Sequence, residues 1–123
     1  MRFLNRLLAT GLIGLAVAFS PSAGSACSFH PYGAVDDQME IGDDYSQTGD
    51  YLSALFAYRR ALALVPNLKL DKRWRHCPET FASAAITLAE RRLLYVRNKG
   101  RSPATIAAAN ALKPVYPKNL NCP

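Results

Sequence analysis

Residues 35–68 read VDDQMEIGDDYSQTGDYLSALFAYRRALALVPNL, and this stretch decides the fold. It predicts two helices joined by a tight turn. The first, Val35 to Thr48, is amphipathic and acidic. The second, Tyr51 to Val65, is apolar nearly all round, interrupted by Ser53, Arg59 and Arg60. Gly49 suits the left-handed residue that ends a helix, Asp50 suits the cap of the next, and Pro66 cannot continue it. Gly42, Ala54 and Ala61 are small enough to let two helix axes approach closely while larger neighbours fill the gaps. A helix that is apolar on most sides must be covered on two of them. One hairpin covers only one, so the remaining cover must come from elsewhere in the chain or from a partner.

The same residues carry a spaced signature. Ile41-Gly42 is followed by Tyr45, then by Ala54, Tyr58, Ala61 and Pro66, with Gly49-Asp50-Tyr51 at the turn. In this spacing the stretch resembles a tetratricopeptide repeat (TPR), a helix–turn–helix unit of about 34 residues. Gln38 departs from the pattern, standing where the family often has Trp. The resemblance implies a scaffold that holds protein partners, with the first helix lining a concave groove. Asp36, Met39, Asp43 and Gln47 are spaced three or four apart and so share a face. As a groove this face is acidic with one soft apolar residue, which suits a basic or mixed peptide. Some family members clamp a C-terminal carboxylate with Lys and Asn; this sequence has neither there, so that activity is not carried over.

Working outward, Met1 to Ala26 reads as a secretory signal. Arg2 and Arg6 open it, and Leu7 to Phe19 is an uncharged apolar run, shorter than the roughly 20 residues of a transmembrane helix. Gly24 and Ala26 precede the expected cleavage point. The expected destination is the periplasm or cell envelope. Cys27 offers an alternative, a lipoprotein anchor, although its box lacks the usual Leu. The remainder, residues 27–123, is one domain, and a chain of that size buries roughly 60–65 % of its unfolded surface. Over the whole chain 15 Lys and Arg face 9 Asp and Glu. The charge is divided: Asp36 to Asp50 is acidic without a base, and the chain beyond Asp50 is strongly basic.

Cys27 to Ala34 is a short entry segment, from which Phe29 and Tyr32 are placed to fold back as a lid on the first helix. After Pro66 a basic linker carries Lys69, Lys72, Arg73, Trp74 and Arg75. Pro78 suits the first turn of a third helix, Pro78 to Asn98, ended by Gly100. Ser102-Pro103 opens a fourth, Ala104 to Leu112, and the tail Val115 to Pro123 is extended. The signature does not recur after residue 68, so the back half reads as a degenerate second repeat or a helical cap. The fold class is all-α: a TPR-like hairpin packed on two further C-terminal helices, about four in all.

Three cysteines in an exported chain suggest one disulfide and one odd thiol. The pairing favoured is Cys77–Cys122. The third helix is about 30 Å long, the fourth returns antiparallel, and a tail covering about 3.3 Å per residue can reach the start of the third. The closed loop is worth on the order of 4 kcal/mol. Cys27 with either partner is the alternative.

The acids cluster on one helix, as a solvated face does, and no nucleophile–base pair is evident, so the expectation is no catalysis and no cofactor. Nucleic acid is not expected as a partner of an exported chain. The Lys69–Arg75 stretch suits an anionic envelope surface instead, and self-association through the apolar second helix is a further option. The reading is a protein-interaction module with an unidentified protein or peptide partner. The alternative is a small metal or redox accessory protein using Cys27, His30, His76 and Cys77.

Overall fold

The computed structural model describes residues 32–122. They form four α-helices: α1 (Ala34–Gln47), α2 (Tyr51–Leu64), α3 (Lys72–Lys99) and α4 (Pro103–Asn110), with a 3-10 turn, Val65–Asn67, after α2. The all-α architecture of four helices expected from the sequence is the one observed.

The α1–α2 turn is built from Gly49 and Asp50. Gly49 has φ 83°; its N–H donates to the Ser46 carbonyl at 3.1 Å, and the Asp50 N–H donates to the Tyr45 carbonyl at 3.0 Å. These two bonds are a Schellman closure, which needs a residue without Cβ strain at the left-handed position. Asp50 then begins α2, its carboxylate accepting from the Ser53 N–H at 3.1 Å and the Ser53 hydroxyl at 2.8 Å. One short turn thus ends one helix and caps the next.

α2 is the central helix, covered by α1 on one side and α3 on another. Three buried clusters run along it. Ala61 and Val65 meet Val35 of α1 and Ala82 of α3. Ala54, Leu55 and Tyr58 meet Ala89. Tyr51 meets Val96 and Ala109. Small residues at these crossings carry the close approach, and Tyr32 packs against the first cluster as the sequence expects of it. Phe29, Cys27, His30 and the signal segment lie outside the described residues.

The third helix differs from its expected extent. It starts at Lys72, not Pro78, and Pro78 lies inside it. Asp71 supplies the start: its carboxylate accepts from the Arg73 N–H at 3.2 Å, and the Trp74 N–H closes on the Asp71 carbonyl at 2.9 Å. The expected basic linker is therefore mostly the first turns of a 28-residue helix. A proline at this depth deprives the Trp74 carbonyl of its helical donor, which costs about 3 kcal/mol in an exposed interior. Here the ring is fully buried next to Cys77, so apolar burial offsets part of that cost.

α4 is anchored by side chains from the other helices. Arg92 donates to the carbonyls of Ala109, Asn110 and Leu112 at 2.9–3.1 Å, satisfying the orphan acceptors at a helix end. The Tyr51 hydroxyl lies 2.8 Å from Asn110 Oδ1, and Arg101 donates to the Gly49 carbonyl at 3.1 Å. A Cβ on Gly49 would come within 2.8 Å of Ile106, so α4 rests directly on the α1–α2 turn. α3 and α4, of 28 and 8 residues, are very unequal.

Candidate functional site

Gly42 is the residue on which the hairpin closes. A Cβ there would lie within 2.8 Å of the Tyr58 ring, so the ring packs onto bare backbone. The Tyr58 hydroxyl donates to Asp43 Oδ1 at 2.6 Å and lies 3.3 Å from the Ser46 hydroxyl. Burial pushes the phenol well above its ordinary value of 10, and the bond to Asp43 adds to the shift. Burial also raises Tyr51, against the opposing charges of Arg92 and Arg101.

These contacts engage part of the expected groove. Met39 is half-buried and packs against two of the three core clusters. It contributes to the packing between the helices as well as to the expected groove face. The reason is geometric: Val35, Gly42 and Ser46 are the buried positions of α1, and Met39 falls between them on the same stripe. Asp43 is held by Tyr58, and Asp36 accepts from the Tyr32 N–H at 2.9 Å. Gln47 is exposed. Of the signature positions, Gly42, Ala54, Tyr58 and Ala61 are buried, Pro66 sits in the 3-10 turn, and Ile41 and Tyr45 face outward.

The open apolar surface lies on the other side of the hairpin. Ile41 is 38 % exposed, Tyr45 41 %, Leu52 50 % and Phe56 50 %. Arg60 donates from Nε to Gln38 Oε1 at 2.8 Å across the two helices. That bond lays the 38–41–45 stripe of α1 beside the 52–56–60 stripe of α2, each stepping by one turn. Arg59 pairs with Glu90 at 3.7 Å on the α3 side, and exposed Leu94 lies one turn beyond Glu90. A shallow depression bounded by Ile41, Asp44, Tyr45 and Thr48 opens on this face. Leu52 and Phe56 were not singled out from sequence. Their signal was present, because a helix apolar on all sides and covered on two leaves the rest outside.

At the opposite end, Cys77 is bonded to Cys122. His76 Nε2 is 3.5 Å from Cys77 Sγ, and the ligand atoms of His76, Cys77 and Cys122 all fall within 4.8 Å of one another. The alternative accessory-protein set thus keeps His76 and Cys77 together, but the Cys77 sulfur is tied to Cys122. In the Lys69–Arg75 stretch, Arg73 pairs with Asp71 at 3.0 Å, Trp74 is half-buried, and Lys69 and Lys72 are exposed. No helix among the described residues is long and apolar enough to cross a membrane.

Compared with protein-family models, with curated proteins and with solved structures, the chain matches none of them.

Proposed function

We propose that this chain is a protein-interaction module of TPR-like build, acting without catalysis after export to the periplasm or cell envelope, and that it holds its partner on the outer face of the α1–α2 hairpin. The observation that carries the reading is the stripe of Ile41, Tyr45, Leu52 and Phe56, large apolar side chains about half-exposed on neighbouring helices. Surfaces of this kind, rimmed by polar residues, mark interaction sites. Asp37 and Asp44 are exposed on the same helix, so the partner segment is amphipathic with basic residues beside its apolar anchors. The acids support a non-catalytic role by their occupations: Asp50 and Asp71 cap helices, Asp43 holds Tyr58, and Glu90 pairs with Arg59.

The test is site-specific photo-crosslinking in the native host. A photoreactive residue at Phe56 or Ile41 gives one discrete cross-linked species, and Leu52→Asp in the same chain removes it. A photoreactive residue at Val115, on the far side, does not give that species. The same band at all three positions, or none at Phe56 and Ile41, would sink the proposal. A band at twice the monomer mass identifies the partner as a second copy.

A second reading rests on the 4.8 Å grouping of His76, Cys77 and Cys122. Two-electron reduction of the disulfide by a dithiol leaves two thiols and an imidazole, a donor set suited to zinc or cuprous copper. Zinc uptake by the reduced chain and not by the oxidised one supports this reading; equal uptake by both excludes it.

A further inference from the structure

The α1–α2 hairpin separates its charges by helix. α1 carries acids and no base, whereas α2 carries Arg59 and Arg60 and no acid. The other open part of the molecule does not. There the chain after α4 returns as a strap, residues 113–122, to the Cys77–Cys122 bond. The groove of about 490 Å3 between strap and α3 is lined by one acid, Glu79, and one base, Arg91.

The levels of the hairpin's outer face follow from one bond. Arg60 Nε donates to Gln38 Oε1 at 2.8 Å across the antiparallel helices. Counting one turn at a time from that bond, Ile41 comes level with Phe56, and Tyr45 with Leu52. All four side chains are about half-exposed. Asp37, beside Gln38, is exposed at the level of Arg60. Each helix therefore presents a charged level followed by two apolar ones, in the same order.

We propose that the occupant of this face is a second copy of the chain, docked about a two-fold axis that runs along the hairpin. This rests on the reading of the face as an interaction surface and names its partner. Rotation about such an axis keeps every level in place. It lays α1 of each copy antiparallel on α2 of the other, closing a four-helix bundle. Ile41 meets the partner's Phe56, Tyr45 meets the partner's Leu52, and each contact occurs twice. Asp37 meets the partner's Arg60, also twice. Charge selects the axis, because the perpendicular one would lay α1 on α1 and α2 on α2, acid against acid and base against base. The dimer also covers α2 on a third side, which suits a helix apolar nearly all round.

The test is sedimentation equilibrium of the disulfide-bonded chain across the micromolar range. The native chain sediments as a dimer that dissociates on dilution. Phe56→Asp, at a half-exposed position, gives a monomer with unchanged helical circular dichroism. Asp37→Arg and Arg60→Asp each weaken the dimer by about tenfold, because each puts two like-charged contacts in place of two ion pairs. Mixing those two variants in equal amounts restores association to near the native strength, since both contacts of the mixed dimer join opposite charges. Val115→Asp, on the strap, changes nothing. The inference is overturned by a monomer throughout the range, by a dimer indifferent to Phe56→Asp, or by a mixture that associates no better than its components. Its failure is distinct from that of the interaction face. A monomeric chain that cross-links from Phe56 to a species of some other mass loses the second copy and keeps the face. A monomeric chain with no cross-link loses both.

Discussion

The packed helices α1, α2 and α3 and the segment behind them, α4 with the strap, are held by different means. The hairpin closes through short-range complementarity: Tyr58 over Gly42, alanines at the crossings, and one Gly-Asp turn that serves both helices. α4 and the strap are held by a few long-range ties. These are Arg92 on three carbonyls, Arg101 on Gly49, Phe81 on Tyr116 and the disulfide. Local packing distributes stability over many small contributions, whereas sparse ties concentrate it. Single substitutions at those ties should therefore have larger and more localised effects than single substitutions within the packed helices.

The strap is where that contrast is sharpest. Cys122→Ser removes a bond between residues 45 apart in sequence. The chain-entropy model puts the loss near 4 kcal/mol. The expected result is a fall of that order in unfolding free energy by urea titration, together with early proteolytic nicking within residues 113–122. A loss below about 1 kcal/mol would mean that Phe81 and Tyr116 hold the strap by themselves, and the contrast between the two regions would largely vanish.

Arg92 tests the same point at α4. Arg92→Ala leaves the Ala109, Asn110 and Leu112 carbonyls without their shared donor, a loss of about 2 kcal/mol for hydrogen bonds to a charged group. Hydrogen exchange should quicken at the amides of Ile106 and Ala111, which close α4, while those of α1 and α2 are unchanged. Arg92→Lys should not rescue it, because an ammonium lacks the planar fork that reaches several carbonyls at once. Rescue by lysine would reduce the tie to simple charge at a helix C-terminus.

This difference in construction also explains what the sequence made legible. Spacing and turn chemistry located α1 and α2 to within a residue or so, because everything closing them lies within about 30 positions. The four-helix count followed from the start and stop residues of the back half, Pro78, Gly100 and Ser102-Pro103, while the uncovered faces of α2 required only that something pack there. The start of α3 did not follow: Pro78 is a common first-turn residue, and only its burial beside Cys77 makes a proline tolerable deeper in a helix. The Cys77–Cys122 pairing was legible as a matter of reach. The expected groove was half legible. Helical spacing put Met39 and Asp43 on one face, but spacing alone does not say whether that face meets solvent or Tyr58. Nor does it reveal a groove between α3 and a strap that has no regular structure of its own.

The smallest expected effect lies inside the hairpin. Tyr58→Phe keeps the ring on Gly42 and removes the hydroxyl that Asp43 and Ser46 share. Asp43 is exposed and recovers water, so the cost near neutrality should be about 1 kcal/mol. The pH dependence is more diagnostic. The phenol is raised above its ordinary value of 10 in the folded protein, first by burial and then by its bond to Asp43. Below pH 10 both folded and unfolded chains carry the proton, and the contribution is fully present. Above it the unfolded chain releases the proton while the folded chain retains it, so stability falls as pH rises. Urea midpoints measured at intervals from pH 8 upward should decline beyond pH 10 in the native chain and less steeply in Tyr58→Phe. Some slope should persist in the variant, because burial raises Tyr51 as well, against the pull of Arg92 and Arg101. Identical slopes in the two chains would place the ionisation elsewhere. The hairpin would then be held by the fit of Tyr58 to Gly42 alone, with no contribution from its polar end.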